Sequence, residues 1–201
     1  LPVARTMMIA QKLYENGLIT YMRTDSVNLS SLALNTSRDE IISLMGEKYV
    51  KNRHYSTKSK GAQEAHEAIR PTYMSNVDIE GTPQEKKLYE LIWKRTIASQ
   101  MADAELEKTT ANISISNDDR KFVATGEVIK FDGFLKVYAE SYDDDNQEDD
   151  SSKLLPPLVK GDEVKRKSIV ATERFTQAPP RYTEGSLVRK LEELGIGRPS
   201  T

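Results

Sequence analysis

The sequence predicts an α+β protein of several parts, and three observations carry that reading. Residues 1–102 place apolar side chains at helical spacing between recognisable caps. From about Ala104 the apolar pattern changes to period two, broken by turn residues. After Pro179-Pro180 a helical pattern returns.

Taking the elements in order, Met7 to Asn16 forms a short amphipathic run, with Thr6 as its expected N-cap and Gly17 as its stop. Ser30 or Ser31 caps a second helix that ends at Gly46, with Leu34, Ile41, Ile42 and Met45 on one face. Thr82-Pro83-Gln84-Glu85 is a helix start written in full. Thr82 is the N-cap, Pro83 takes the first helical position, and Glu85 completes a capping box ahead of Leu88, Leu91, Ile92 and Trp93. Ala111 to Ser116 alternates as a strand, Asn117-Asp118-Asp119 turns, and Phe122 to Ile129 returns. Phe134 to Tyr138 and Glu163 to Thr172 read as further strands of a small antiparallel domain. Thr183 caps a last helix from Glu184 to Leu194, which Gly195-Ile196-Gly197 ends. The abrupt ends beside patterned sequence predict a piece of a longer polypeptide.

Composition narrows the function classes. Of the 201 residues, 37% are apolar and 30% charged, the balance of a globular chain rather than a disordered one. No run approaches the ~18 apolar residues of a membrane span, and the start lacks the features of a signal peptide, so a cytoplasmic location without membrane association is expected. There is no cysteine and only two histidines, His54 and His66, which excludes disulfides and thiolate zinc sites and leaves no metal site expected here. The net charge of −2 is uneven. Asp143 to Asp150 carries six negative charges in a polar run that reads as a solvated loop, and the other residues sum to +4. The global charge therefore leaves nucleic acid open as a partner.

Three segments carry residues suited to phosphate chemistry. In Ile19-Thr20-Tyr21-Met22-Arg23-Thr24-Asp25-Ser26, β-branched and aromatic residues predict an extended chain. Alternation then places Tyr21, Arg23 and Asp25 on one face. A phenol with an ordinary pKa of about 10 is a weak nucleophile that a neighbouring cation activates. Arg23 can supply that charge and bind the phosphate oxygens, while Asp25 can orient Arg23 or relay a proton. The same pattern also decorates ordinary surface strands. In Glu64 to Pro71, a helix would put His66 and Arg70 on one face at i, i+4, where two cations suit an anion between them; from spacing alone a solvated helix end stopped by Pro71, with Glu67 offsetting the charge, is the more common origin of such a pattern. Around Arg181-Tyr182-Thr183, and in Gly195 to Thr201, basic, aromatic and hydroxyl side chains beside a helix N-terminus suit backbone phosphates and single-stranded bases; an ordinary capped amphipathic helix would look the same.

Together these segments resemble one family, the bacterial type IA DNA topoisomerases. Ile19 to Ser26 is similar to the family's active-site signature. The similarity runs on through Thr6 to Tyr14, Glu64 to Pro71, Leu88 to Trp93, Phe131 to Phe134, Pro180 to Glu184 and Gly195 to Thr201. The resemblance implies that Tyr21 attacks one strand of negatively supercoiled DNA and holds its 5′-phosphate while another strand passes. The free 3′-hydroxyl then reseals the break without ATP. It implies that Arg23 and His66 contact the scissile phosphate or a neighbour, that Asp25 and Arg70 support them, and that Arg181, Arg198, Ser200 and Thr201 bind single-stranded DNA near the gate.

In family terms residues 1–102 are a tyrosine-bearing, winged-helix-like gate domain, 103–174 part of a β arch, and 175–201 the start of the toroid base. The family's Mg²⁺ belongs to a Toprim domain outside this chain, as do C-terminal DNA-binding modules. Asp143-x-Asp145 lies in a polar run and does not match the Toprim acidic pair. A piece of a bacterial, nucleoid-associated enzyme that does not relax DNA alone is therefore expected. A winged-helix-like DNA-binding module without catalysis is the alternative, and a tyrosine recombinase, which would leave a 3′-phosphotyrosine, is the rival within catalysis.

Overall fold

In the computed structural model, residues 1–55, 66–138, 158–173, 175–176 and 178–196 are described. The chain forms two compact units, one of Leu1–Asp103, Gly133–Glu140 and Tyr182–Thr201, the other of Ala104–Asp132 and Ser141–Arg181.

The first unit is helical. Helix α1 (Val3–Glu15) buries Ile9, Ala10 and Leu13, the inward stripe of an amphipathic helix. It begins a turn earlier than its caps suggest. Pro2, at φ −59°, leads the chain into the helix, and Thr6 lies inside it with its hydroxyl donating to the Pro2 carbonyl at 3.1 Å. Helix α2 (Ser31–Met45) starts at Ser30, whose hydroxyl accepts the Ala33 N–H, and stops at Gly46, as the sequence indicates. Helix α3 (Pro83–Ser99) carries the full capping box of Thr82 and Glu85 and buries Tyr89, Trp93 and Ile97 at successive turns. Lys12 of α1 reaches Glu85 at 2.5 Å, an ion pair that pins α1 to the start of α3. Two further bonds hold the segment ahead of α3 against that helix: Tyr89 donates to the Asn76 carbonyl at 2.7 Å, and Trp93 Nε1 to the Met74 carbonyl at 2.8 Å. Helix α4 (Glu184–Glu193) starts at Thr183, as expected, and buries none of its residues.

The second unit centres on a long antiparallel hairpin, β1 (Glu105–Ile115) and β2 (Asp118–Phe131), with Ala111 opposite Ala124 and Ile113 opposite Phe122. Both strands run longer than their alternating cores predict. Two other expected strands do not form. Phe134 to Tyr138, which falls in the first unit, begins within a 3₁₀ turn over Gly133–Lys136, where Gly133 adopts φ +48° and the Phe134 N–H donates to the Ala102 carbonyl at 2.9 Å. Glu163 to Thr172 pairs with no strand among the described residues, where the sheet is the β1–β2 hairpin. None of the described helices is long and apolar enough to cross a membrane.

Candidate active site

The site is assembled where the end of α1 reverses direction. Gly17, at φ +69°, lets the Leu18 N–H reach the Leu13 carbonyl at 2.9 Å while its own N–H reaches that of Tyr14 at 2.8 Å. The chain then runs back past the last turn of α1. Ile19 is buried and bridges Pro71, Met22 is buried, and Tyr21 and Arg23 are exposed. Exposure alternates only from Tyr21 to Arg23, about the buried Met22; Ile19, which strict alternation would put on the face of Tyr21, is buried instead, and Asp25 is half-buried. No regular strand forms: beyond the single bridge the chain is irregular and bends at Met22 and Arg23.

A second segment is laced onto it. The Thr20 N–H donates to the Arg70 carbonyl at 2.9 Å, and the Thr72 N–H to the Leu18 carbonyl at 3.0 Å. The Thr20 hydroxyl donates to the Ala68 carbonyl at 2.7 Å and accepts the Arg70 N–H at 2.9 Å. Ala68 N–H donates to the Asn28 carbonyl at 2.8 Å, and the Ser30 N–H to Glu67 Oε1 at 2.7 Å. These bonds make residues 66–72 an extended strap rather than the helix considered from sequence. Pro71 disfavours a helical Arg70, and the strap's polar backbone is satisfied by its neighbours instead of by itself.

The strap brings His66 to the tyrosine. The rings of Tyr21 and His66 lie 5.9 Å apart at 75°, and those of Tyr14 and Tyr21 5.3 Å apart at 73°. Both are edge-to-face contacts, the favoured geometry for aromatic pairs. Tyr21 thus sits between a ring from α1 and a ring from the strap. It remains 40% exposed. Among the described residues its hydroxyl has no hydrogen-bond partner.

Arg70 is placed differently from the phosphate-facing cation its spacing suggests. Its guanidinium pairs with Glu67 at 2.6 Å and donates to the Pro71 carbonyl at 2.9 Å, and its side chain is only 12% exposed. Burial pushes the Glu67 carboxyl up. Hydrogen bonds from Ser30 and Arg70, with the charge of Arg70, more than offset this and hold it below the usual glutamate range. Arg70 also lines a cleft of about 410 Å³ with Leu32, Asp39, Glu40 and Met74. Neither Tyr21 nor His66 lines that cleft, whose charged residues are Asp39, Glu40 and Arg70.

Arg23 is exposed and Asp25 half-buried; neither forms an ion pair among the described residues. Arg181 is exposed, and Arg198, Ser200 and Thr201 lie outside the described residues. No three acidic or histidine side chains converge as a metal site among the described residues. Three residues of the site were not singled out for it from sequence: Tyr14, Thr20 and Glu67. Gly17 was the available signal for Tyr14, since a glycine reversal after a helix folds the following residues back over its last turn.

A family model described as DNA topoisomerase matches residues 1–201. DNA topoisomerase 1 of Rickettsia typhi is 49% identical over 98% of this chain, which corresponds to 27% of that protein. DNA topoisomerase 1 of Streptomyces coelicolor is 48% identical over 98% of the chain, 22% of that protein. The structure of full-length topoisomerase I from Thermotoga maritima superposes with a TM-score of 0.78 at 36% identity, covering 100% of this chain and 33% of that one. The chain thus spans about a fifth to a third of the length of these relatives.

Proposed function

The chain belongs to the bacterial DNA topoisomerase I family, and from that premise we propose that it carries the nucleophile of a type IA enzyme, Tyr21. The observation that carries this reading is the exposed Tyr21 ring held between Tyr14 and His66. In the proposed reaction the Tyr21 oxygen bonds to a backbone phosphorus as its phenolic proton departs. The P–O3′ bond breaks, and the 3′-oxygen leaves with a proton. One phosphodiester replaces another, so no ATP is needed for the break or for its reversal by the 3′-hydroxyl. Strand passage between the two steps relaxes negatively supercoiled DNA.

Arg23, exposed two residues on, neutralises charge on the non-bridging oxygens. His66 contacts the same phosphate or its neighbour, and Asp25 orients Arg23. Arg70 supports the strap. Arg181, Arg198, Ser200 and Thr201 bind the single-stranded segment. The Mg²⁺ expected of the family would be held by a Toprim domain of the same polypeptide; among the described residues no three acidic or histidine side chains converge to hold it.

In the same reading residues 1–102 are the winged-helix-like gate, 103–174 part of the arch and 175–201 the start of the return into the toroid base. The Toprim and C-terminal domains of the same polypeptide complete a nucleoid-associated enzyme, and the 201 residues do not relax DNA without them.

Covalent trapping tests this. The chain and its Tyr21→Phe variant are each mixed with labelled single-stranded DNA, Mg²⁺ and a Toprim-containing fragment. An adduct on the 5′ side, resistant to denaturation and absent from Tyr21→Phe, is the expected result. A tyrosine on the 3′ side would indicate recombinase chemistry. DNA binding with no adduct under any complementation would leave the binding-module reading in its place.

A further inference from the structure

We propose that Tyr14 is a positioning residue that sets the direction in which the Tyr21 hydroxyl points; this rests on the reading of Tyr21 as nucleophile. A tyrosine's hydroxyl is usually aimed by its own hydrogen bond, but among the described residues Tyr21 has none. Among the described residues two ring contacts flank it, and Tyr14 makes the closer of the two, at 5.3 Å against 5.9 Å for His66.

The two neighbours differ in how they are held. His66 rides on a strap fixed by hydrogen bonds through Thr20, Asn28 and Ser30. Tyr14 stands on the last turn of α1, next to Leu13, which is 1% exposed, on a helix pinned to α3 through Lys12 and Glu85. The Gly17 reversal fixes how far back the chain returns over that turn. Tyr14 thus presents its ring to Tyr21 from an anchored stretch of backbone on the α1 side. At 41% exposure Tyr14 is not a core residue, and the contact the structure gives its ring is the edge-to-face one with Tyr21.

In-line attack needs the phenolic oxygen within a few tenths of an ångström of its place, and loss of such placement costs up to about 100-fold in rate per ångström. A ring free to swing on the Tyr14 side loses that placement without losing any contact with DNA. The expected signature is a slower chemical step at unchanged affinity.

The test uses a full-length topoisomerase carrying this chain, with Tyr14→Ala, Tyr14→Leu and Tyr14→Phe. Single-turnover cleavage of a saturating single-stranded oligonucleotide gives the chemical rate, and titration of the same DNA gives Kd. Tyr14→Ala and Tyr14→Leu are expected to slow cleavage on the order of tenfold with Kd changed less than about twofold. Tyr14→Phe, which keeps the ring, restores the rate. Leucine keeps apolar bulk, so it serves where alanine impairs folding. With 3-fluorotyrosine at position 21, the ¹⁹F resonance is expected to move in the Ala and Leu variants and to stay in Phe. A normal saturating rate with weakened Kd would overturn the proposal in favour of a base-stacking role. A lowered Tm with normal rate and an unmoved resonance would reduce Tyr14 to structure. An adduct that survives Tyr21→Phe would defeat the nucleophile reading itself, separately from Tyr14.

Discussion

The hydroxyl of Thr20 accepts the backbone N–H of Arg70 at 2.9 Å and donates to the carbonyl of Ala68 at 2.7 Å, so one side chain closes two backbone groups of a segment about fifty residues away. Because Thr20 immediately precedes Tyr21, the bond that holds the strap also holds the root of the proposed nucleophile. Valine has nearly the same shape but neither donor nor acceptor. Thr20→Val should therefore lower stability by about 1–3 kcal/mol, since both backbone partners lose their bond, while Thr20→Ser recovers most of it. Urea unfolding of the three proteins checks this. An unchanged midpoint for Thr20→Val would mean that water satisfies both groups and that the tie contributes nothing.

The Lys12–Glu85 pair sets a pH dependence. The Lys12 ammonium, followed by the N–H and hydroxyl of Thr82, draws the Glu85 carboxyl down to about 2 from the ordinary 4.5. A carboxyl whose pKa is lower in the folded state adds stability that is present above its unfolded pKa. That contribution should fade as pH falls from about 5 toward 2, along with the link between α1 and α3. Melting curves across that window should fall less steeply for Glu85→Gln than for the unsubstituted chain. Parallel curves would show that Glu85 is not the group responsible.

Arg70 is predicted to matter for the fold more than for affinity. Removing it leaves Glu67 without its cation and the Pro71 carbonyl without a donor, at a cost of about 2 kcal/mol once partial exposure of Glu67 is allowed for. A phosphate contact would show otherwise. Each neutralised phosphate adds about one unit to the slope of log affinity against log salt. Arg70→Ala is expected to lower the unfolding midpoint and keep that slope, whereas Arg23→Ala should reduce the slope by about one. The reverse assignment in salt titrations of DNA binding would put Arg70 on the DNA.

What could be read from sequence was mostly local. Thr82, Pro83 and Glu85 write the start of α3 within four residues, and Ser30, Gly46 and Thr183 mark other ends in the same way. Pro2 was missed because Thr6 is a better cap by residue type, although a proline just ahead of a helix sets its entry equally well. The expected strand at Phe134 to Tyr138 fails because alternation says nothing about a carbonyl supplied by Ala102. The pairing of Tyr21 with His66 depends on the Ile19–Pro71 bridge across fifty-two positions, which no spacing rule contains. Tyr21 could be singled out from its chemistry, but its surroundings had to come from the fold.

Gly133 is where that dependence is sharpest. A Cβ there would collide with the backbone of Ala102 and Asp103, and the residue also sits at φ +48°. The neighbouring backbone cannot easily yield. Ala102 N–H donates to the Tyr49 carbonyl at 2.8 Å, and Asp103 is gripped by both Lys51 and Arg53. The left-handed conformation alone costs an alanine about 1–2 kcal/mol, and the clash adds to it. Gly133→Ala should therefore destabilise by more than about 2 kcal/mol, and releasing Asp103 from its clamp with Asp103→Ala in the same chain should recover part of that loss. A double-mutant cycle measured by urea unfolding decides it: strictly additive effects would mean that the chain relieves the clash elsewhere and that Asp103's ion pairs do not hold Gly133's neighbour in place.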